Sequence, residues 1–403
     1  MTKPYDDLEC QAREARARGL NRLLNEQVAR ASALPGYAET LGPVAAEWSG
    51  DLTVLPVLRK SDLVALQEAV PPLGGLTTLG IQDFDYLFQS PGPIYEPGRR
   101  GVDFWRMGRF LHAAGVGSDD VVQNCFGYHL TPAGHMVESG AEAVGAVVVP
   151  AGTGQTELQV RAAAALGVTT YAGTPDYLKV ILEKADELGV TLGITKAVVS
   201  GGALFPSLRT WYAERGITCT QCYATADLGL VAYESPGHEG MILDEGVVVE
   251  IVTPGTGDPV PDGEVGEVVV TTLNADYPLV RFATGDLSAV MEGVSPCGRT
   301  NTRIKGWMGR ADQTTKIKGM FVRPEQVAAL VARHDEIHRA RVVASRSGEA
   351  DTMLVRVEGA GVDRDAVAVS VKDVLKLSGT VEVVAPGALP RDGVVIEDAR
   401  SYD

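Results

Sequence analysis

Two short segments concentrate residue types that bind phosphate and hydroxyl groups. Arg281-Phe-Ala-Thr-Gly-Asp286 ends on a carboxylate, and Gly309-Arg-Ala-Asp-Gln-Thr-Thr-Lys-Ile-Lys-Gly319 brings Arg310, Asp312 and Lys316 close together. A guanidinium group binds paired oxygens through its forked N–H groups, and a carboxylate accepts hydrogen bonds from neighbouring hydroxyls. The elements around these segments decide whether the side chains meet in one site.

Between residues 100 and 225 the pattern alternates between short apolar strands and helices. Strands are predicted at Asp120–Cys125, Ala146–Val149, Thr169–Ala172, Ala197–Ser200 and Thr218–Tyr223. Helices are predicted at Phe104–Ala114, Thr131–Val144, Thr156–Leu166, Tyr177–Leu188 and Pro206–Arg215. This alternation predicts an α/β fold with a parallel sheet covered by helices on both faces. Ligands of such sheets bind beyond the carboxyl ends of the strands, where the loops at 150–154 and 200–203 and the Tyr223 segment lie.

Two changes in pattern predict further divisions of the chain. From about residue 240 to 309 the sequence is β-rich, with strands predicted at Gly246–Val252, Gly266–Leu273 and Leu279–Ala283. After Lys318 it predicts a small α+β unit with elements at Pro324–Arg333, Arg339–Ala344, Met353–Glu358, Asp363–Leu375 and Val381–Val384. We therefore expect a large domain at 1–309 and a small, mobile C-terminal domain at 310–403. Helices are also expected at 7–32 and at 60–70, the second capped by Ser61.

The composition excludes several classes of protein. The 403 residues carry a formal net charge of −16, which disfavours binding to nucleic acid or to an anionic membrane. No segment approaches the ~20 consecutive apolar residues that span a bilayer, and the first residues do not resemble a signal peptide. The five cysteines are scattered and odd in number, unlike a disulfide framework. We expect a cytoplasmic protein.

The Gly309–Gly319 segment is similar to the hinge motif of the adenylate-forming superfamily, which includes acyl-CoA synthetases, peptide-synthetase adenylation domains and luciferases. Arg281–Asp286 resembles a second motif of that superfamily at the family's spacing. Within the superfamily the chain resembles phenylacetate–CoA ligases over nearly its whole length. This likeness lies in Val122–Tyr128, Gly140–Glu142, Pro150–Gly152, Thr174–Tyr177, Ser295–Thr300 and Leu389–Arg391.

The resemblance implies a two-step reaction on a small carboxylic acid. The carboxylate attacks the α-phosphate of ATP to give an acyl-adenylate and pyrophosphate, and a thiol, usually that of CoA, then displaces AMP. Rotation of the small domain about the hinge serves both steps. ATP or AMP, Mg²⁺ and CoA are the implied cofactors. A homodimer is an expectation inherited from the relatives.

Residue roles follow from the resemblance. Asp286 is expected to bind the ribose hydroxyls, Arg310 the ribose or α-phosphate, and Tyr223 to stack on adenine. The residues expected to complete the nucleotide site are Gly202, Ala203, Ala224 and Thr225. Asp227 stands where the family has a Mg²⁺-coordinating glutamate, and an acidic oxygen suits a hard cation.

The remaining roles concern the acyl group and the thiol. The residues expected to border the acyl pocket are Phe126, Tyr128, His129 and Gly201. Asp312 is the expected hinge pivot, and Lys316 and Gly319 are expected to line the entry of the thiol of CoA. Lys316, Asp312 and Arg310 are the candidate catalytic residues. Plainer alternatives stay open: Asp286 can cap a turn, Asp227 can cap a helix, and Tyr128 can belong to the core.

The sequence departs from the family pattern where phosphates bind. In Phe88–Pro97, which corresponds to the phosphate loop, prolines replace hydroxyl residues and Glu96 stands at the lysine position. Proline lacks the N–H group that binds phosphate, and a carboxylate repels a triphosphate. The catalytic lysine expected after Leu389-Pro-Arg391 is missing from the segment that follows, and only Arg391 or Arg400 is left as a replacement.

These departures leave three functions open: an ATP-dependent ligase, an enzyme that transfers an already activated acyl group, and a non-catalytic partner of a ligase.

Two cysteine motifs also need an interpretation. Cys219-Thr-Gln-Cys222 lies on a predicted strand and is interpreted as a pair of buried small residues. Cys297, with His238 and Glu234 as imaginable partners, offers too few ligands for a closed zinc site.

Overall fold

The computed structural model describes residues 3–45, 48–90, 92–101, 103–235, 237–311, 313–318, 320–347 and 350–400. The chain divides into two compact units. The first contains Met1–Val249, Val270–Phe282 and Met291–Trp307, and the second contains Glu250–Val269, Ala283–Val290 and Met308–Asp403. The domain boundary expected at residue 309 stays a prediction.

The helices are α1 Arg13–Ser32, α2 Gly42–Ala45, α3 Asp62–Ala69, α4 Met107–Ala113, α5 Ala133–Val144, α6 Thr156–Ala165, α7 Pro175–Leu188, α8 Pro206–Glu214, α9 Pro324–Val331 and α10 Arg364–Leu375. Proline begins α7, α8 and α9, where its fixed φ suits the first turn and no N–H is needed. Gly145 and Gly189 end α5 and α7 in the left-handed conformation that favours glycine.

The strands in the first part of the chain are β1 Leu58–Arg59, β2 Tyr86–Ser90, β3 Ile94–Gly98, β4 Val121–Asn124, β5 Val147–Pro150, β6 Thr170–Gly173, β7 Lys196–Val199, β8 Thr218–Thr225, β9 Gly229–Tyr233 and β10 Met241–Leu243. Those that follow are β11 Val247–Val252, β12 Gly266–Thr272, β13 Phe282–Ser288, β14 Val290–Met291, β15 Arg303–Ile304, β16 Thr315–Ile317, β17 Met320–Val322, β18 Ile337–Ser347, β19 Ala350–Gly359, β20 Thr380–Val384 and β21 Ile396–Asp398.

A nine-stranded sheet positions the candidate site, with strand order β14-β15-β10-β9-β8-β7-β6-β4-β5. Strands β8, β7, β6, β4 and β5 run parallel, and β8 pairs antiparallel with β9. The predicted α/β architecture with a parallel sheet is therefore confirmed. Because β4, β6, β7 and β8 point the same way, the loops that follow them lie at one edge of the sheet.

The first unit packs its helices onto this sheet through a continuous apolar cluster. Val160 of α6, Ile181 of α7 and Tyr212 of α8 are fully buried against Ala197 and Val199 of β7. Burial of this kind stabilises the fold by roughly 1.5–3 kcal/mol per large apolar side chain. The cluster fixes the strand ends from which the site loops depart.

The second unit contains the predicted small α+β arrangement. Its four-stranded sheet has the order β20-β19-β18-β21, in which β18 and β19 form a long antiparallel pair. Leu330 of α9 and Leu375 of α10 are fully buried against Val342 and Val355 of this sheet. Asp363 caps α10 by accepting hydrogen bonds from the backbone of Asp365 and Ala366.

Three local predictions need correction. The strand expected at Leu279–Ala283 begins at Phe282, because Arg281 has a left-handed backbone with φ of 46° that interrupts an extended chain. The helix expected from Phe104 begins at Met107, after a left-handed Arg106. Ser61 stands at the N-cap of α3, but its side chain makes no capping hydrogen bond.

The segment that corresponds to the phosphate loop forms a β-hairpin. Strands β2 and β3 pair antiparallel from Tyr86 and Gly98 to Ser90 and Ile94. Phe88 faces Glu96 in this register. Part of the hairpin backbone bonds within this ladder and part bonds outside it: the N–H of Gln89 donates to the carbonyl of Leu130 at 2.8 Å, and the backbone of Tyr95 bonds with the side chain of Gln67. No helix in the described part of the chain is long and apolar enough to cross a lipid bilayer.

Candidate functional site

A cavity of about 300 Å³ lies in the first unit, where the loops leave the carboxyl ends of β4, β7 and β8. None of the residues around it carries a charge, and most are apolar. They are Ser90, Met107, Phe126, Thr131, Pro132, Ala133, Met136, Val137, Ser200, Gly201, Ala224, Thr225 and Ala226. Its volume falls at the lower end of the ~300–1,000 Å³ range typical of small-molecule sites.

Of the four residues expected around the acyl group, Phe126 and Gly201 line the cavity. Gly201 has φ of 70°, and a Cβ atom there would lie 3.8 Å from the Phe126 ring. Tyr128 instead accepts a hydrogen bond from Asn124 at 2.7 Å and donates to Glu138 at 3.1 Å. His129 is exposed. Of the four residues predicted to border the acyl group, Phe126 and Gly201 are therefore the two that a ligand in the cavity could contact directly.

The residues expected around the nucleotide in the first unit divide into two groups. Ala224 and Thr225, at the end of β8, line the cavity. Thr225 also accepts a hydrogen bond from the backbone of Leu228 at 3.1 Å. Gly202 and Ala203 are exposed on the loop after β7, and Tyr223 is buried in β8.

Asp227 forms an ion pair that the sequence analysis missed. One of its oxygens, Oδ2, accepts a hydrogen bond from the ammonium of Lys60 at 2.7 Å. The side chain of Asp227 is fully buried and that of Lys60 is one-third exposed. The other oxygen, Oδ1, is buried without a hydrogen-bond partner among the described residues. No local pattern pointed to Lys60, which is 167 residues away in the sequence.

Glu96 is fully buried beside this pair. Ser90, which lines the cavity, donates a hydrogen bond to Oε1 of Glu96, and Oε2 has no partner among the described residues. Burial and the charge of Asp227 raise the pKa of Glu96 to about 7, although Ser90 and Lys60 act in the opposite direction. The folded chain therefore keeps a proton on this carboxyl group up to a higher pH than an exposed glutamate would.

Tyr277 adds a third buried oxygen. Its hydroxyl has no partner among the described residues, and the side chain is almost completely buried. Burial, together with the charges of Asp227 and Glu96, raises its pKa well above the ordinary value. We call Lys60, Glu96, Asp227 and Tyr277 the buried polar cluster. Its oxygen donors are of the type that Mg²⁺ prefers.

In the second unit, the carboxylate of Asp286 and the guanidinium of Arg310 lie together. Nη1 of Arg310 is 2.9 Å from Oδ1 of Asp286. The Arg310 side chain is 53% exposed and that of Asp286 only 11%, so the guanidinium retains N–H groups that face solvent. Gly285 allows this approach, because a Cβ atom there would lie 2.8 Å from Nη2 of Arg310.

Several predicted residues of the second unit fall outside the described part of the chain. Asp312, Gly319 and the side chain of Lys316 are among them, so their expected roles stay predictions. The two arginines considered as substitutes for the missing lysine both have acidic partners. Arg391 pairs with Glu264, and Arg400 pairs with Asp351.

The cysteines show no arrangement typical of a metal centre in the described residues, where no group of three or more His, Cys, Asp and Glu converges. Cys219 and Cys222 are buried in β8, as interpreted from the sequence. Glu234 binds Arg209 at 2.7 Å and His238 also contacts that guanidinium. Cys297 lies 3.1 Å from Ser295 and 3.6 Å from Arg299.

Part of the chain is similar to one protein family. Residues 105–274 match the model described as "AMP-binding enzyme". This region contains the parallel strands, the loops that border the cavity, and Asp227.

Curated relatives bear the name phenylacetate–coenzyme A ligase. That of Thermus thermophilus is 32% identical over 260 residues, which is 62% of this chain and 58% of the relative. That of Escherichia coli is 29% identical over 272 residues, or 64% of this chain and 61% of the relative. The chain thus spans about three-fifths of the length of these two relatives.

A solved structure extends the likeness in fold to nearly the full chain. A crystal structure of 2-hydroxyisobutyryl-CoA ligase, in the postadenylation state with an adenylate, aligns with a TM-score of 0.71. The alignment covers 99% of this chain and 94% of that one at 23% identity. It therefore shows a shared fold.

Proposed function

We propose that this chain is a member of the adenylate-forming superfamily and an AMP-forming ligase that joins a small carboxylic acid to a thiol such as that of CoA. The uncharged cavity carries the proposal, because it opens at the carboxyl ends of parallel strands within the segment that matches AMP-binding enzymes. Its walls suit the apolar part of an acid and would leave the carboxylate to be bound by polar groups at its border.

The proposed reaction has two steps. A carboxylate oxygen attacks the α-phosphorus of ATP, the bond to the β-phosphate oxygen breaks, and pyrophosphate leaves. The thiol then loses its proton and attacks the acyl carbon, and AMP leaves with the electrons of the acyl–oxygen bond. Phe126 and Gly201 would hold the acyl group in place, which contributes to rate by fixing the reacting atoms.

The polar residues would serve the nucleotide. Asp286 would accept hydrogen bonds from ribose hydroxyls, and Arg310 would bind ribose or α-phosphate oxygens through its exposed N–H groups. Asp227 has a buried oxygen without a partner, which fits a ligand of Mg²⁺. When bound, Mg²⁺ would neutralise phosphate charge during adenylation.

Pyrophosphate release tests this proposal. The purified chain is incubated with ATP and Mg²⁺ and a panel of aryl and small aliphatic acids, with and without CoA. Pyrophosphate that depends on the acid, followed by AMP and a thioester when CoA is present, would support the ligase. Failure of every acid to release pyrophosphate, in a protein that binds no ATP by calorimetry, would contradict it.

One observation favours a second function, the transfer of an already activated acyl group. Glu96 is buried at the lysine position of the phosphate loop, and the prolines around it reduce the number of N–H donors. Calorimetry with ATP and AMP separates the two functions. Binding of AMP or of a non-hydrolysable acyl-adenylate, without binding of ATP, would favour the transferase.

Asp286→Asn gives the first prediction. The amide keeps the size of the side chain but loses the charge, so we expect AMP to bind roughly 10–100-fold more weakly, in line with about 1.5–3 kcal/mol for a charged hydrogen bond. Calorimetry with AMP measures the change. The exposed Asp262, replaced by Asn, is the control. Equal affinity in Asp286→Asn and the native chain would remove Asp286 from the ribose site.

A further inference from the structure

The buried polar cluster has more acidic groups than basic ones. Asp227 and Glu96 carry two carboxyl groups, and Lys60 supplies one ammonium group. Tyr277 is neutral, because its raised pKa keeps the proton on the hydroxyl. With both carboxyl groups ionised, the cluster has one unbalanced buried negative charge, which destabilises the fold unless a cation offsets it.

Three oxygen atoms of the cluster are buried without a partner among the described residues. They are Oδ1 of Asp227, Oε2 of Glu96 and the hydroxyl of Tyr277. Buried polar atoms are paired in the great majority of cases, so three orphans in one cluster need an explanation. Each can donate an electron pair to a cation. Oε1 of Glu96 and Oδ2 of Asp227 are already held by Ser90 and Lys60, which fixes the orientation of the free oxygens.

The carboxyl groups of Glu96 and Asp227 both lie next to residues that line the cavity. Ser90, the hydrogen-bond partner of Glu96, and Ala226, the chain neighbour of Asp227, are among the lining residues. The charge of Asp227 also acts directly on Glu96, which places the two groups within electrostatic reach of each other.

We propose that Asp227 and Glu96 together form a divalent-cation site that binds Mg²⁺ or Mn²⁺ without nucleotide, and that Lys60 competes with the cation for Asp227. Mg²⁺ usually keeps several water molecules and takes only one or two protein carboxylates, which matches this pair. Thiol and imidazole ligands are not part of the set, so zinc is not the metal that it would select.

Lys60 sets the affinity in this arrangement. Its ammonium contacts the same carboxylate that would bind the metal, at 2.7 Å, so the two cations repel each other and share one ligand. Lys60 is one-third exposed, which leaves room for its flexible side chain to move towards solvent. Removal of its charge should therefore strengthen metal binding, whereas removal of the Glu96 charge should weaken it.

Mn²⁺ titration of the chelator-stripped full chain tests the inference, with the free ion followed by electron paramagnetic resonance and no nucleotide present. We expect one Mn²⁺ per chain, at least 10-fold weaker binding in Glu96→Gln, and several-fold tighter binding in Lys60→Met. Glu68→Gln, an exposed glutamate on α3, is the matched control and should leave binding unchanged. Circular dichroism confirms that each variant is folded.

Absence of Mn²⁺ binding at millimolar concentration in both the native chain and Lys60→Met would overturn the inference, since the cluster would then hold no divalent cation. Binding that neither Glu96→Gln nor Lys60→Met alters would also overturn it. The inference extends the Mg²⁺ role that the proposed function gives Asp227, and the two fail separately: acid-dependent release of pyrophosphate without nucleotide-free Mn²⁺ binding would leave the ligase standing and remove the two-carboxylate site.

Discussion

Cys297 lies in an environment that stabilises a thiolate. Burial raises the pKa of its thiol, but hydrogen bonds from Ser235, Ser295 and Arg299 outweigh burial and lower the pKa to about 7. The guanidinium of Arg299 is almost fully buried and held in place by Glu9 at 2.8 Å. Cys125 is the opposite case, because burial without such partners raises its pKa to about 12.

The pH dependence of alkylation gives a prediction for this thiol. Cys297 should react with iodoacetamide in the native chain with an apparent pKa near 7, because the thiolate is the nucleophile. Ser295→Ala removes one donor and should shift that midpoint to higher pH. Mass spectrometry of the labelled peptides measures both, with buried Cys125 as the unreactive control. Identical midpoints in the native chain and Ser295→Ala would show that Ser295 does not stabilise the thiolate.

Glu96 links stability to pH in the absence of metal. Its pKa is raised in the folded chain, to about 7 from 4.5, so the folded state binds more protons than the unfolded state between these values. Its contribution to stability is therefore fully present below pH 4.5 and is lost as the pH rises through 7. The loss amounts to about 3 kcal/mol if the whole shift is realised.

Glu96→Gln removes this dependence. In buffer with a chelator, the variant should gain stability relative to the native chain as the pH rises from 5 to 8, and the difference should be smallest at pH 5. Urea midpoints at each pH measure it, and Glu68→Gln is the control because Glu68 is exposed. A difference between Glu96→Gln and the native chain that stays constant across this range would contradict a raised pKa.

Helices α4 and α5 approach each other closely at Gly140. A Cβ atom at Gly140 would lie 2.6 Å from the Cβ of Met107 and 2.7 Å from its backbone carbon. Gly19, in the middle of α1, has nothing within 4 Å of the same position. The two glycines thus occupy helices for different reasons, since Gly140 permits a close approach and Gly19 only lowers helix propensity.

Alanine at these two positions should have opposite effects. Gly140→Ala forces α4 and α5 apart and should lower the free energy of unfolding by about 1–3 kcal/mol. Gly19→Ala should raise it by up to about 1 kcal/mol, because alanine favours the helix. Urea denaturation measures both. Stability of Gly140→Ala equal to that of the native chain would show that the helices adjust without cost.

Across the whole molecule, each unit has its own apolar cluster. Leu330 belongs to the cluster of the second unit and Ile181 to that of the first, and both are completely buried. Truncation of such a side chain to alanine costs about 2–5 kcal/mol. The loss should appear first in the unit whose core side chain is truncated, because local opening follows local packing.

Hydrogen exchange measured by mass spectrometry tests this. Leu330→Ala should accelerate exchange in peptides from β18, β19 and α10, and Ile181→Ala should accelerate it in peptides from β6, β7 and α8. Each variant is the control for the other. Equal acceleration in both sets of peptides for both variants would show that the two clusters unfold as one.

The sequence by itself determined the parallel sheet and the position of the candidate site. Alternating apolar strands and helices force the carboxyl ends of β4, β7 and β8 to one edge, and Phe126, Gly201, Ala224 and Thr225 follow directly after or end those strands. This information is local, because periodicity records which face of an element is buried. Arg281 and Arg106 escaped prediction, because a left-handed backbone at a non-glycine residue is set by tertiary contacts. Arg281, for example, donates to the carbonyl of Leu55 at 2.6 Å.

Only the tertiary structure decided which charges meet. The members of the buried polar cluster come from distant parts of the sequence, and no periodicity relates them. They are Lys60, Glu96, Asp227 and Tyr277. The sequence motifs assigned Asp227 to a metal and marked Glu96 as a departure from a phosphate loop, yet neither indicated that the two share one buried cluster with Lys60. Long-range pairing of this kind depends on how the elements pack, because a buried charge is tolerated only where the fold brings it a partner.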